Sequence, residues 1–114
     1  MEMTLAFWVC AAITTISAYT SLGFSIAALR DSGDTALTNA HYALARSVAL
    51  AVLSTVPLFF HADLWAIAAA IALILTQLGD GVIGATIHSA VKTYGPFFTA
   101  LVNTVALVWL LTVL

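Results

Sequence analysis

Two charged side chains fall inside strongly apolar stretches: Arg46 in "YALARSVAL" (42–50) and Asp80 in "ALILTQLGDGVIGAT" (72–86). A guanidinium and a carboxylate have three chemical uses in such a setting. They form a charge-assisted hydrogen-bonded pair, they bind a ligand of complementary charge, or they act as anion stabiliser and base in a reaction. Gln77 lies three residues before Asp80, and Gly84 and His88 follow at four-residue steps, so on a helix these positions share a broad face. Asn103, Tyr19, Ser21 and Ser25 fall at compatible depth in neighbouring apolar segments. The candidate ligand-binding set is therefore Arg46, Asp80, Gln77, Asn103, Tyr19 and His88.

Other chemistries lack their residues. His41, His61 and His88 are far apart, and neither HxxxH nor ExxH spacing occurs, so no metal site is expected. His88 has two readings, a proton-transfer group or a solvated histidine near a helix end. "GDGVIG" continues an apolar helix instead of joining a strand to a helix, which removes it as a phosphate-binding loop. Cys10 is the single cysteine, which excludes an intrachain disulfide and a cysteine metal cluster. No cofactor is implied.

The elements that must position these groups follow from composition. Of 114 residues, 63% are hydrophobic and 7% charged, whereas soluble domains carry about 25% charged residues to wet their surface. Most of the exterior must therefore face lipid, and the expected partner is a bilayer. A net charge of −2 with no basic run argues against nucleic acid. The N-terminus carries Glu2 in place of a basic region and runs on apolar beyond a signal peptide's length, so the first span is expected to be retained.

A helix needs roughly 20 apolar residues to cross the hydrocarbon. The sequence predicts an all-α, integral membrane, antiparallel four-helix bundle forming a single domain, 1–114. Its spans are expected at about 4–29, 42–60, 64–85 and 96–114. Asp34 is a candidate cap for the second helix, and "HAD" (61–63) a tight connection. The third helix has the composition to extend to 94, where "YGP" (94–96) reads as a stop. Pro57 should bend the second span, with Ser54 and Thr55 placed to satisfy freed carbonyls.

Four antiparallel spans put both termini on one side. Arg30, Arg46 and Lys92 all lie towards the other, which the positive-inside tendency assigns to the cytoplasm. Phe7, Trp8, Phe59, Phe60, Trp65 and Trp109 gather near the terminus-bearing face, as an interfacial aromatic belt would. At matching depth, Arg46 and Asp80 are predicted to pair across adjacent helices. Ser17, Ser21 and Ser25 form a small-residue stripe, and Gly79, Gly81 and Gly84 either let a helix approach or open the backbone to a ligand.

Small multidrug-resistance transporters share this size but depend on a glutamate in the first span, which this chain lacks after Glu2. Fluoride channels share the plan, without a matching asparagine-glycine motif here. "YALARSVAL" (42–50), "QLGDGVIGA" (77–85) and "YGPFFTALVN" (94–103) resemble the uncharacterised four-span proteins of the DoxX-like group. That resemblance covers the last three spans and carries over two positions, Arg46 and Asp80. It implies a fold more than an activity.

Three functions fit these residues. The first is a buried Arg46/Asp80 polar site in the cytoplasmic half that binds, and across a homodimer transports, a small polar or amphiphilic ligand. The second is a structural or partner subunit whose charge pair fixes helix packing. The third, with a sparse supporting cast of acids and bases, is a cofactor-free enzyme acting on a lipid-soluble substrate.

Overall fold

The computed structural model describes residues 2–31, 33 and 37–114. Four α-helices follow one another: α1 (Glu2–Asp31), α2 (Leu37–Phe59), α3 (Asp63–Thr86) and α4 (Ala90–Val113). Each contains a segment long and apolar enough to cross a membrane. Asp34, the expected cap of the second helix, lies outside the described residues. Threonines are accommodated in these apolar helices by folding their hydroxyls back onto their own helix. Thr15, Thr20, Thr55, Thr76, Thr99 and Thr104 each donate to the carbonyl four residues earlier, so each of these hydroxyls is paired within its own helix.

The helices pack as two hairpins, α1–α2 and α3–α4, with α1 also against α4 and α3, and α3 against α2. Among the described residues the backbones of α2 and α4 do not come close to each other. The section is thus a diamond with α1 and α3 on its short diagonal, which explains a body of 51 × 26 × 15 Å. The core at the terminus-bearing end joins Ala6, Phe7, Cys10 and Ala11 to Ala66, Ala70, Ala106, Leu107 and Leu110. Alanines dominate it because short side chains let helix backbones approach closely. Phe7 departs from its expected place in the aromatic belt: it is fully buried, with its ring stacked 3.9 Å from that of His61. Trp8, Phe59, Phe60 and Trp65 remain exposed.

Both prolines lie inside helices, and each leaves a carbonyl without its helical donor. Pro57 vacates the carbonyl of Leu53, which accepts the indole N–H of Trp65 at 3.2 Å. Ser54 and Thr55, the expected rescuers, are otherwise engaged or unpaired. Thr55 donates to Ala51, and the Ser54 hydroxyl is buried without a partner. Pro96 vacates the carbonyl of Lys92, which lies against Gly84 of α3 so closely that a Cβ there would collide with it.

"YGP" is accordingly not a helix stop. The third helix ends at Thr86, and Tyr94, Gly95 and Pro96 continue α4. The break falls at His88, whose φ of 58° turns the chain left-handed. Ser89 N–H bonds Gly84 O at 3.1 Å and His88 N–H bonds Ala85 O at 3.2 Å, the paired bonds of a Schellman ending. Ser89 at once caps α4, its hydroxyl accepting from Lys92 N–H at 3.3 Å. A local cap at both sides of one turn outweighs the weaker stop signal six residues later.

Candidate functional site

The inward face of α1 carries Thr14, Ser17, Ser21 and Ser25 at three- and four-residue steps, and three of these reach three different helices. Thr14 donates to Asn103 Oδ1 on α4 at 3.0 Å. Ser21 accepts from Gln77 Nε2 on α3 at 2.9 Å. Ser25 shares a 2.7 Å hydrogen bond with Ser47 on α2. Two further contacts tie α1 to α2: Thr15 donates to Ser54 O at 3.0 Å, and Tyr19 shares a 3.0 Å bond with Thr55. Thr15 and Tyr19 meet Ser54 and Thr55 while Ser25, further along α1, meets Ser47, earlier on α2, so the two helices run antiparallel. This chain of bonds pins the bundle from within and leaves two buried polar atoms there unpaired, Asn103 Nδ2 and Ser54 Oγ.

Arg46 and Asp80 meet on the flank between α2 and α3, where Arg46 Nη2 donates to Asp80 Oδ1 at 3.2 Å. The expected pair forms, yet it is not buried: 48% of the Arg46 side chain and 24% of the Asp80 side chain remain accessible. Helical rotation is the reason. Ser47 points to the core and is buried, so its neighbour Arg46 is turned about 100° away. Gln77 likewise takes the inward position on α3, leaving Asp80 at the rim.

The six candidate residues therefore occupy four places. Gln77 and Asn103 are in the closed interior, Arg46 and Asp80 form the flank pair, Tyr19 lies half exposed beside Thr55, and His88 sits exposed in the α3–α4 connection. Gly81 and Gly84 serve packing, since a Cβ at either would strike Phe97 or the Lys92 carbonyl; Gly79 faces open space. Thr14, Thr15, Ser47 and Trp65 are polar contributors outside the candidate set. Thr14 extends the Ser17–Ser21–Ser25 stripe one turn backwards, a signal present in the sequence, whereas the Trp65 bond depends on how the α2–α3 hairpin closes.

Away from the pair, an open apolar groove of about 420 Å³ runs between α1 and α4, lined by Val9, Ile13, Leu101, Val102, Val105 and Trp109 among others. A smaller recess of about 170 Å³ adjoins it at Ile13 and Val102 and reaches Ser17 and Thr99. Among the described residues no group of three or more His, Cys, Asp or Glu is placed to hold a metal ion. Fold and site together define a small all-helical protein with four membrane-compatible helices and a lateral Arg–Asp pair. Comparison with family models, with characterised proteins and with solved structures finds no match to this chain.

Proposed function

We propose that this is an integral membrane protein whose four helices cross the bilayer, and whose Arg46–Asp80 pair binds a small polar or amphiphilic ligand. Both termini lie on the non-cytoplasmic side in this reading, because Arg30, Arg46 and Lys92 all gather at the opposite end. The likeness of 42–50 and 77–103 to the DoxX-like group belongs to the same proposal. Transport of the ligand requires a dimer, since four closely packed helices enclose almost no lumen.

The observation that carries the reading is an ion pair left open on the flank of the bundle, which the proposed placement sets at hydrocarbon depth. α2 is 23 residues long, about 35 Å against a core of about 30 Å, and Arg46 lies nine residues from its start. Its Cα is thus roughly 10 Å inside the hydrocarbon boundary. A charge at mid-span costs about 2.5–3.5 kcal/mol to insert, and intramembrane ionisable groups mark functional sites by default. Arg46 has five N–H donors and gives Asp80 one hydrogen bond. The remaining donors and the second carboxylate oxygen suit a zwitterionic headgroup, anion towards Arg46 and cation towards Asp80, with its tail in the adjoining lipid.

A structural reading has its own support: Gln77, Asn103, Ser21 and Ser47 already engage partners on neighbouring helices. Thermal unfolding in a neutral maltoside detergent, with and without a lysophosphatidylcholine, separates the two. Binding predicts a raised midpoint in the wild type that disappears in Asp80→Asn while the protein stays assembled. An equal shift in Asp80→Asn, or no shift in the wild type, overturns the ligand reading. Misassembly of Arg46→Ala and of Asp80→Ala, relieved in the double variant, assigns the pair to packing.

A further inference from the structure

We infer that the α2–α3 flank is the interface of a twofold-symmetric homodimer, in which Arg46 of each copy lies opposite Asp80 of the other. The inference rests on the membrane placement proposed above and needs no ligand, since the interface takes up the same open donors and oxygen that the ligand would. It begins with which face lacks cover. Of the four candidate spans, α2 is the least enclosed. It leans on α1 and more lightly on α3, and does not reach α4. On its outward side Tyr42, Arg46 and Ala49 follow at steps of four and three. Beside them on α3, Thr76, Asp80 and Ile83 follow at the same steps. Tyr42 is 74% and Ile83 59% exposed.

Charge decides what covers this face. Arg46 and Asp80 already bond each other once, but an apolar helix from another protein would leave the other guanidinium donors and the second carboxylate oxygen unmet, and lipid tails would do the same. The patch instead carries one cation and one anion side by side, and is therefore complementary to its own copy. A twofold axis through it sets plus against minus twice, turning two open pairs into a closed network of four charges. An isologous interface has that property: residue i meets j and j meets i. Ala49, exposed one turn beyond Arg46, leaves room for backbones to approach. The shallow α1–α4 groove, wholly apolar along its length at Val9, Leu101 and Val105, is left to lipid.

The test is made on the full chain in native membranes. In a Cys10→Ala background, which removes the single native thiol, Ala49→Cys is expected to form a disulfide-linked dimer under mild oxidation. Val105→Cys, on the opposite flank, is expected to do so about tenfold less. Charge exchange then shows that the pairing is between copies. Arg46→Glu alone and Asp80→Arg alone each place four like charges at the interface and are expected to lose self-association. Co-expressed with different tags, the two variants are expected to co-purify. The introduced glutamate of one copy then faces the introduced arginine of the other, and the native Asp80 of the first faces the native Arg46 of the second.

Equal cross-linking at positions 49 and 105, or none at 49, overturns the inference, as does failure of differently tagged wild-type copies to co-purify. If the charge variants fail to fold, the cysteine comparison still decides, because Ala49→Cys disturbs no charge. A dimer that ignores lysophosphatidylcholine sinks the ligand reading and keeps this one; a monomer that binds it does the reverse.

Discussion

Gly84→Ala tests the closest approach between helices. The added methyl meets the Lys92 carbonyl oxygen, its carbon and the Thr93 nitrogen. These are backbone atoms, so relief requires α3 and α4 to separate. Overpacking of this kind costs about 1–3 kcal/mol, with rigid neighbours at the upper end. Against it stands the gain of roughly 0.5–1 kcal/mol from replacing a helical glycine by alanine. The expected net loss is about 2 kcal/mol, roughly thirtyfold in the folding equilibrium. Gly79→Ala, on the same helix with nothing within 4 Å of its Cβ position, should be neutral or stabilising by up to about 1 kcal/mol. Gly81→Ala should fall between, because it strikes the Phe97 ring, a side chain able to shift. The assay is reversible unfolding in bicelles, followed by tryptophan fluorescence. Pro96→Ala supplies the N–H that Lys92 O lacks and draws that carbonyl back into α4, so the double variant should recover about 1 kcal/mol of the Gly84→Ala loss. Equal stability of Gly84→Ala and Gly79→Ala refutes the packing argument; strict additivity with Pro96→Ala refutes the proposed link to the proline.

Three more outcomes follow from the hydrogen bonds and the turn at His88. Trp65→Phe should destabilise by about 1–2 kcal/mol by stranding the Leu53 carbonyl, and Pro57→Ala should abolish that penalty by restoring the helical donor; the same unfolding assay reads both. Thr14→Val should cost roughly 0.6–1.7 kcal/mol, the range for interhelical hydrogen bonds in membranes, while Thr14→Val with Asn103→Leu should be closer to neutral because no polar group is left unpaired. His88→Gly should stabilise by up to about 1 kcal/mol, since glycine adopts the left-handed turn at position 88 without strain. If His88→Gly is destabilising, the histidine ring holds the turn by contacts of its own.

Much of this arrangement was legible in the residues. The scarcity of charge and the lengths of the apolar runs determine four helices, because too few polar groups exist to wet a soluble surface. Counting depth along antiparallel segments was enough to bring Arg46 level with Asp80, since the rise per residue of a helix is constant. The stripe at Ser17, Ser21 and Ser25 announced an inward face of α1 before any partner for it was known.

What tertiary structure alone decided is rotation and closure. A one-residue difference turns a side chain about 100° around its helix, so whether Arg46 or Ser47 faces the core depends on how α1 and α3 pack, and no depth count contains that. The α3–α4 break at His88 in place of "YGP" shows the same limit, because a turn's two ends are chosen jointly by the cap bonds at Gly84, Ala85 and Ser89. The carbonyls freed by Pro57 and Pro96 find their neighbours across helix interfaces, at Trp65 and Gly84. Local sequence specifies that a donor is missing; only the assembled bundle specifies what stands in its place.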